Sequence, residues 1–535
     1  MSSVFGKAKP LVMPAILAFS VWFLLNVSGV QSWFFEEASI ATVVFVKIMH
    51  LIFLFLLFYL VFFIIRKQKK DKRYRDLIKI AGFYGGVLLV LLILVWPGAW
   101  AWDDLGVIHN AEHYGFTPWQ HFFSGLFHVM ALQTLPFAAG VIIIQIFLAS
   151  IMVGYIVSFL SHAIAKKYKK NQKWCVVFLF VPFFFFPILF YVLTGYRMAI
   201  YQYLEVLIFA MILVKSMTKG KITYYWLTII GILTVIVGAW RTEGLPIVFF
   251  VPVMLFLLKN DFFTKKRLLV FFGVILMAVL AIGKINTMMI GNENYKVGAI
   301  IYPLVVNIRE NKEIGENEKN EIGKVLDLDC VEDNPDLTEE LVYHECMKSG
   351  YSSEDYSAFF KTAIGMIVKH PQRTATAVWD MFWQTAAGAY DEGGGPYTRS
   401  TAVTAANIFT EGTPEKAMWD KTDSKMKKPI NNELRTGTIN VLAGTPEFHA
   451  APYFSFFWNH MIPIVLTVIV SIYSIFKKKW LILVAELAIL CRAGIIAFTA
   501  MAPYFMYYMP VYVSGYVMFV FVLVDFYYSR KKSVV

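Results

Sequence analysis

Charged residues and cysteines are scarce in this chain. Only 16% of its 535 residues are Asp, Glu, Lys or Arg, while 58% are hydrophobic and 17% are aromatic. A soluble domain carries about a quarter charged residues, so this composition excludes a soluble enzyme. The mean hydropathy of +0.59 agrees with that exclusion. Four cysteines are too few for the framework of a disulfide-rich secreted fold.

The positive charge of the chain is confined to its apolar part. The formal net charge is +12, which on its own would suggest a nucleic-acid partner. Residues 285–455, however, contain 16 basic and 25 acidic side chains, whereas the rest of the chain contains 33 and 12. The basic excess accompanies the apolar segments, which is typical of a polytopic protein embedded in a lipid bilayer and argues against nucleic-acid binding.

Twelve apolar runs approach the length of about 20 residues that a membrane-spanning helix needs. When the N-terminus is placed in the cytoplasm, clusters containing 28 of the 33 basic residues outside 285–455 all fall on the cytoplasmic side. The C-terminus is then cytoplasmic as well. The predicted runs are 11–30, 40–65, 79–97, 136–161, 174–194, 198–214, 223–240, 246–258, 268–284, 456–476, 480–499 and 511–528.

The sequence therefore predicts an all-α polytopic protein of the cell membrane with three parts. Residues 1–284 form the first nine helices and include an outer loop at 97–135. Residues 285–455 form an extracytoplasmic, mainly helical domain, and residues 456–535 form the last three helices.

Two features stand out within the predicted outer domain. Segments 355–370 and 372–389 carry apolar residues at helical spacing, so we expect helices there. Cys330 and Cys346 either form a disulfide, if this domain is outside the cell, or remain thiols.

Five basic residues lie outside the cytoplasmic clusters, and charges close to membrane segments tend to mark functional sites. Lys47 and Lys284 are explained by their positions near helix ends. The other three, which the predicted topology places toward the outer side, could hold a phosphate through their guanidinium groups: Arg197, Arg241 and Arg492.

Alternative interpretations exist for two of these arginines. Arg241 and Glu243 could form an ordinary ion pair in an outer loop. Arg492 could pair with Glu486, which lies less than two helical turns earlier.

Two adjacent carboxylates follow the predicted third helix, just beyond Pro97-Gly98 and among three tryptophans. A carboxylate at this outer surface can act as a general base on a hydroxyl group or bind a divalent cation. Asp is also a common N-cap residue. We therefore expect Asp103 to take part in chemistry and Asp104 to cap a helix that begins near Leu105.

The string His109-Asn110-Ala111-Glu112-His113 matches the H-x-x-E-H pattern of some zinc proteases. No third ligand accompanies it in the sequence, so a polar outer helix is favoured over a protease. His109 and His113 are kept as residues that support the site. A Mg²⁺ or Mn²⁺ ion at Asp103 and His113 is a further expectation.

Three stretches of the chain resemble bacterial glycosyltransferases of the GT-C superfamily, of the type found in Gram-positive bacteria. The first is Pro97-Gly98 followed by Asp103, and the second is Trp240-Arg241-Thr242-Glu243-Gly244. The third comprises Lys369-His370-Pro371 and Tyr390 in the predicted outer domain. The resemblance covers most of the chain loosely and a few dozen residues specifically.

This resemblance implies an inverting hexosyltransferase whose donor is a sugar linked to polyprenyl phosphate. Asp103 would match the catalytic aspartate of the family and deprotonate the acceptor hydroxyl. Arg241, and also Arg197, would bind the donor phosphate. The acceptor would be a cell-surface glycan, a teichoic acid or a lipid on the outer face of the membrane.

Two other functions compete with this interpretation. A flippase for lipid-linked glycans would be expected to have paired repeats and charges along a midplane pathway, and the sequence has neither. A polysaccharide polymerase or ligase would depend on outer arginine and histidine residues, here Arg241 and His370, rather than on Asp103.

Overall fold

A computed structural model of the chain describes residues 2–31, 38–117, 120–258, 260, 262–290, 297–298, 300–310, 314–334, 342, 345–387, 405–443, 456–500 and 503–530, with side chains from residue 11 onward. The described residues are overwhelmingly α-helical, with isolated β-bridges and no strands. The helices are α1 (Ser2–Val27), α2 (Ile40–Gln68), α3 (Lys72–Leu94), α4 (Trp102–Glu112), α5 (Phe122–Thr134), α6 (Ala138–Tyr168), α7 (Gln172–Phe180), α8 (Phe186–Val192), α9 (Met198–Thr218), α10 (Tyr224–Trp240), α11 (Ile247–Leu257), α12 (Lys265–Ile290), α13 (Ile301–Glu310), α14 (Glu316–Gly323), α15 (Leu328–Asp333), α16 (Ser353–Lys369), α17 (Pro371–Ala387), α18 (Pro414–Asp420), α19 (Asn432–Ala443), α20 (Met461–Phe476), α21 (Trp480–Thr499) and α22 (Met509–Arg530).

Seven helices in the described part of the chain are long and apolar enough to cross a membrane. The number becomes eight when the pair Gln172–Phe184 and Phe186–Val192, bent by 65°, is taken as one span. Four shorter apolar helices accompany them: Leu11–Val27, Tyr224–Trp240, Thr242–Leu257 and Met461–Phe476. Each of the twelve apolar runs in the sequence thus lies on one of these apolar helices or on the bent pair, and the protein is an α-helical membrane protein.

The membrane helices differ in how much of their surface the protein covers. The apolar windows of α6, α9 and α22 are mostly buried, whereas those of α2 and α12 are mostly exposed. Exposed side chains of α12 include Leu269, Val274, Met277 and Leu280. Apolar surface on this scale needs an apolar solvent, so α2 and α12 lie at the lipid-facing periphery and α9 lies in the centre.

One end of the bundle gathers basic residues around a buried carboxylate. The Nζ atoms of Lys167 and Lys479 lie 2.8 and 2.7 Å from the two oxygens of Asp525, and the hydroxyl of Tyr168 donates to the same carboxylate at 2.8 Å. The predicted basic clusters at 166–173 and 477–479 therefore meet at the same end of the bundle.

The segment predicted as an outer domain contains two separately packed regions. Residues 297–366 have a small core of their own, formed by side chains such as Ile301, Leu304 and Phe359. Helices α16 and α17 confirm the helical spacing predicted at 355–370 and 372–389. Cys330 and Cys346 form a disulfide, which decides between the two alternatives left open by the sequence.

Residues 405–443 pack instead onto the main core, over the connection between α3 and α4. The ring of Trp419 lies 6.0 Å from that of Trp100, and Arg435 donates to the carbonyl of Gly98 at 2.9 Å. The Arg435 side chain is fully buried, and burial lowers its pKa to about 9. The division of the chain at residues 284 and 455 stays a prediction.

The disulfide can be tested by counting cysteines with a maleimide-linked polymer in the unfolded protein. Without reductant, two of the four cysteines, Cys175 and Cys491, should react; with reductant, all four should react. A Cys330→Ser/Cys346→Ser variant should give two adducts in both conditions. Four adducts on the non-reduced wild-type protein would contradict the disulfide.

Candidate functional site

The end of the bundle opposite the Asp525 cluster contains the two adjacent aspartates. Helix α4 begins at Trp102 with Ala101 at its N-cap, so the predicted start near Leu105 and the predicted N-cap role of Asp104 are both wrong. Asp104 instead lies in the first turn and accepts a hydrogen bond from the backbone N–H of Gly195 at 2.9 Å. This bond joins α4 to the turn before α9.

The close approach of this turn requires a glycine. A Cβ atom at residue 195 would lie 2.4 Å from the indole of Trp100 and 3.2 Å from the Cβ of Asp104. The backbone around Trp100 is fixed in turn, because the N–H of Ala99 donates to the carbonyl of Leu193 at 2.8 Å. The connection between α3 and α4 and the turn before α9 therefore form one rigid unit.

Asp103 and Asp104 have different environments although they are neighbours. Asp104 is completely buried, whereas Asp103 is half-exposed. Burial, and then the charge of Asp103, raise the pKa of Asp104 well above its usual range; the N–H groups of Gly195 and Ala101 and the charge of Arg197 oppose this shift. Asp103 is therefore the carboxylate that a hydroxyl substrate can reach.

Arg197 lies immediately before α9 and next to the turn that Asp104 holds. Its charge lowers the pKa of Asp104, of Arg241 and of His121. Within the described residues Arg197 makes no hydrogen bond or ion pair. It is half-buried, so its charge is only partly hydrated.

Arg241 lies between α10 and the 3₁₀ turn Thr242–Gly244. Its Nε donates to Glu243, so the ion pair that the sequence left open as an alternative is present, but both side chains are more than nine-tenths buried. The guanidinium carbon lies 5.2 Å from the ring centre of Tyr507, and Nη1 is buried with no acceptor in the described part of the chain. Burial lowers the pKa of Arg241, and the charge of Arg197 lowers it further while Glu243 opposes the shift.

Arg492 has a different partner from the one suggested by the sequence. Its Nε lies 2.7 Å from the carboxylate of Glu205, and Nη1 donates to the hydroxyl of Tyr201 at 3.1 Å. Pairing with Glu486 is therefore wrong. Both charged side chains are 2% exposed, so the guanidinium group of Arg492 is bound within the bundle rather than presented to a ligand.

Helix α5 brings residues to the site that the sequence interpretation did not include. His121 is its N-cap residue, and its Nδ1 accepts from the backbone N–H of Phe123 at 3.2 Å. Ser124 accepts from the indole N–H of Trp240 at 3.0 Å, which holds the first turn of α5 beside the residue preceding Arg241. In the sequence, the occurrence of a histidine within an apolar stretch was the only indication that His121 belongs to the site.

The histidine-rich string of α4 does not converge on a metal. Glu112 accepts from the backbone N–H of Asp423 at 2.7 Å and from the hydroxyl of Ser424, while His113 lies 3.4 Å from the carboxylate of Asp423. His109 is exposed and its carbonyl bonds the ring of His113. These residues attach the 405–443 region to α4.

The geometry of α4 gives no support to a metal shared by Asp103 and His113. Ten residues of α-helix separate their backbone positions by about 15 Å, too far for one ion. In the described part of the chain, no three His, Cys, Asp or Glu side chains converge on a metal position. A Mg²⁺ or Mn²⁺ ion therefore stays a prediction, and no reaction step is assigned to one.

The third stretch of the resemblance lies where α16 ends and α17 begins. Lys369 forms an ion pair with Glu318, within the region that has its own core. His370 is the C-cap of α16. Tyr390 lies outside the described residues.

The buried pair of Arg492 and Glu205 should be essential for stability. Arg492→Met leaves a buried carboxylate without its partner, which costs about 3–5 kcal/mol. The double variant Glu205→Leu/Arg492→Met should recover much of that loss, because an apolar pair replaces the ionic one. Thermal unfolding in detergent measures both; a single variant as stable as the wild type would contradict the assignment.

The contact of Glu112 with the 405–443 region should weaken as the pH rises. Burial raises the pKa of Glu112 to about 7, and the charge of Asp423 adds to this, whereas Ser424, the N–H of Asp423 and His113 oppose it. The folded state thus retains a proton that the unfolded chain loses near its ordinary pKa of 4.5, so stability falls between about pH 4.5 and 7.

Protease cleavage within residues 405–443 measures this effect. Cleavage should accelerate as the pH is raised through that window. Glu112→Gln, which cannot ionise, should make the rate much less dependent on pH. Equal pH dependence in the two proteins would show that Glu112 is not the responsible group.

This end of the bundle thus contains a half-exposed carboxylate, Asp103, and two arginines with unused hydrogen-bond donors, Arg197 and Arg241. The arrangement can remove a proton from a hydroxyl group and bind an anion next to it. Comparison with models of known protein families, with curated proteins and with solved structures finds no match to this chain.

Proposed function

We propose that this chain is an inverting glycosyltransferase that moves a sugar from a polyprenyl-phosphate donor to a glycan, teichoic acid or lipid acceptor at the cell surface. In this proposal twelve helices span the cell membrane, both termini are cytoplasmic, and residues 285–455 are extracytoplasmic. The site lies on the outer face.

The observation that carries the proposal is the pair of arginines, Arg197 and Arg241, at the same end of the bundle as Asp103. Arg197 and Arg241 are close enough for the charge of one to lower the pKa of the other. Glu243 pairs with Nε of Arg241 but leaves its Nη1 without an acceptor in the described part of the chain, and Arg197 makes no ion pair there, so both guanidinium groups still require an acceptor. A phosphate group, which guanidinium groups bind through paired hydrogen bonds, satisfies that requirement.

The position of the site supports a lipid-linked donor. The anion site and the aspartates lie at the end of the bundle opposite the lysines that surround Asp525. If those lysines are cytoplasmic, as the positive-inside rule predicts, the site is at the outer surface, where nucleotide-linked sugars are absent and a polyprenyl chain can remain in the bilayer.

In the proposed sugar transfer, the negative charge of Asp103 and the positive charges of Arg197 and Arg241 have separate tasks. Asp103 accepts the proton of the acceptor hydroxyl while that oxygen attacks the anomeric carbon of the donor. The bond between the anomeric carbon and the phosphate oxygen breaks, and its electron pair leaves with polyprenyl phosphate. The phosphate changes from a singly charged diester to a monoester with more negative charge, which Arg197 and Arg241 stabilise in the transition state.

Asp104 has a positioning role in this mechanism. Its hydrogen bond to Gly195 fixes the turn that carries Arg197 relative to the turn of helix that carries Asp103. The base and one phosphate ligand are thus held by a single contact.

Complementation of a deletion strain tests the assignment, with analysis of the cell-surface glycans as the measurement. The deletion should remove one sugar substituent, and the wild-type gene should restore it. Asp103→Asn should fold normally but lower transfer about 10²–10⁴-fold, the usual contribution of a general base. Asp104→Asn, which retains an acceptor for the N–H of Gly195, is the matched control and should restore most of the substituent.

Other outcomes would reject the mechanism. Full restoration by Asp103→Asn removes the catalytic assignment. Loss with Arg241→Gln and His370→Asn, combined with full restoration by Asp103→Asn, would favour a polysaccharide polymerase or ligase.

A further inference from the structure

His121 carries a buried hydrogen-bond donor without an acceptor. Its Nδ1 accepts from the backbone N–H of Phe123, so a neutral ring must carry its proton on Nε2. Burial and the charge of Arg197 lower the pKa of His121 to about 4, so the ring is neutral at physiological pH. Nε2 is buried and has no partner within the described residues.

A second donor near the same place is also unsatisfied. Nη1 of Arg241 is buried without an acceptor, on a side chain that is only 8% exposed. Arg197 acts electrostatically on both His121 and Arg241 and makes no hydrogen bond or ion pair within the described residues. Leaving a buried donor unpaired is costly, so these two buried donors, together with the half-buried guanidinium group of Arg197, indicate a ligand.

The three donors come from three separate parts of the chain and are held in place independently. His121 is fixed as the N-cap of α5, Arg197 by the turn that Asp104 holds, and Arg241 by Glu243. The hydrogen bond from Trp240 to Ser124 joins the first and third of these elements. The N-terminal end of α5 adds positive potential on the same side.

We propose that His121 is a third phosphate ligand, whose Nε2–H donates to a non-bridging phosphate oxygen between Arg197 and Arg241. The ligand is a phosphate mono- or diester, since a tetrahedral anion offers oxygens in the several directions that these donors require. The identification of that phosphate as part of a polyprenyl donor rests on the proposed function. His121 is thereby a specificity-determining residue for the donor rather than the base.

Two variants of His121 distinguish the loss of its Nε2–H donor from the loss of its N-cap contact in folding. His121→Asn retains a side-chain oxygen for the N–H of Phe123, and Asn is among the best N-cap residues, but it loses the donor at the Nε2 position. His121→Gln places an amide N–H near the position of Nε2. His162→Asn, at the opposite end of the bundle, is the control.

Binding of undecaprenyl phosphate to the purified full-length protein in nanodiscs, measured by native mass spectrometry, tests the proposal. His121→Asn should weaken binding about tenfold to a hundredfold, the value of a hydrogen bond to a charged group. His121→Gln should recover most of the affinity, and His162→Asn should bind like the wild type. Unchanged affinity in His121→Asn would overturn the role of His121 and leave the glycosyltransferase proposal standing.

Two further probes identify the source of the phosphate. Inorganic phosphate and phosphatidylglycerol are each tested as competitors against the same three variants. If the wild type binds inorganic phosphate or phosphatidylglycerol in a His121-dependent way but does not bind undecaprenyl phosphate, the phosphate site stands and the proposed donor is wrong. If the wild type binds none of the three probes, the phosphate site itself is wrong.

Discussion

The hydrogen bond between the carboxylate of Asp104 and the backbone N–H of Gly195 joins two connections at one end of the bundle. It joins the connection after α3 to the connection before α9, and α9 is the most deeply buried helix of the bundle. A carboxylate is suited to this task because it accepts two hydrogen bonds at once and can satisfy backbone donors at a helix start. Because Trp100 leaves no room for a Cβ at residue 195, this contact also requires a glycine at that position.

The arginines at this end differ in how completely a neighbouring carboxylate neutralises them. Arg492 faces Glu205 at 2.7 Å, with little surface left for a ligand. Arg241 shares only its Nε with Glu243, and Arg197 faces another positive charge. Charged groups within membrane proteins tend to mark functional sites. The number of guanidinium donors left without an acceptor is therefore a better guide to the role of an arginine than how deeply the side chain is buried.

The sequence predicted features that depend on local composition, and it missed contacts between distant segments. Apolar runs and the distribution of lysines are local, so all twelve runs lie on apolar helices. The pairing of Arg241 with Glu243, two residues apart, is likewise local, and the sequence offered it as an alternative. Tyr201, which binds Arg492, is 291 residues away from it, and no local pattern indicates that contact. The sequence interpretation missed His121 because its role depends on the backbone N–H of Phe123 and on the charge of Arg197.

The attachment of the 405–443 region to α4 has a consequence for biosynthesis. Glu112 and its partner Ser424 are 312 residues apart in the chain. At roughly 5–20 residues per second, the ribosome completes the second partner many seconds after the first has emerged. During that interval Glu112 and the carbonyl of Gly98 have water or the insertion machinery as their only partners. A nascent chain released before residue 405 therefore lacks the partners of Gly98, Trp100 and Glu112.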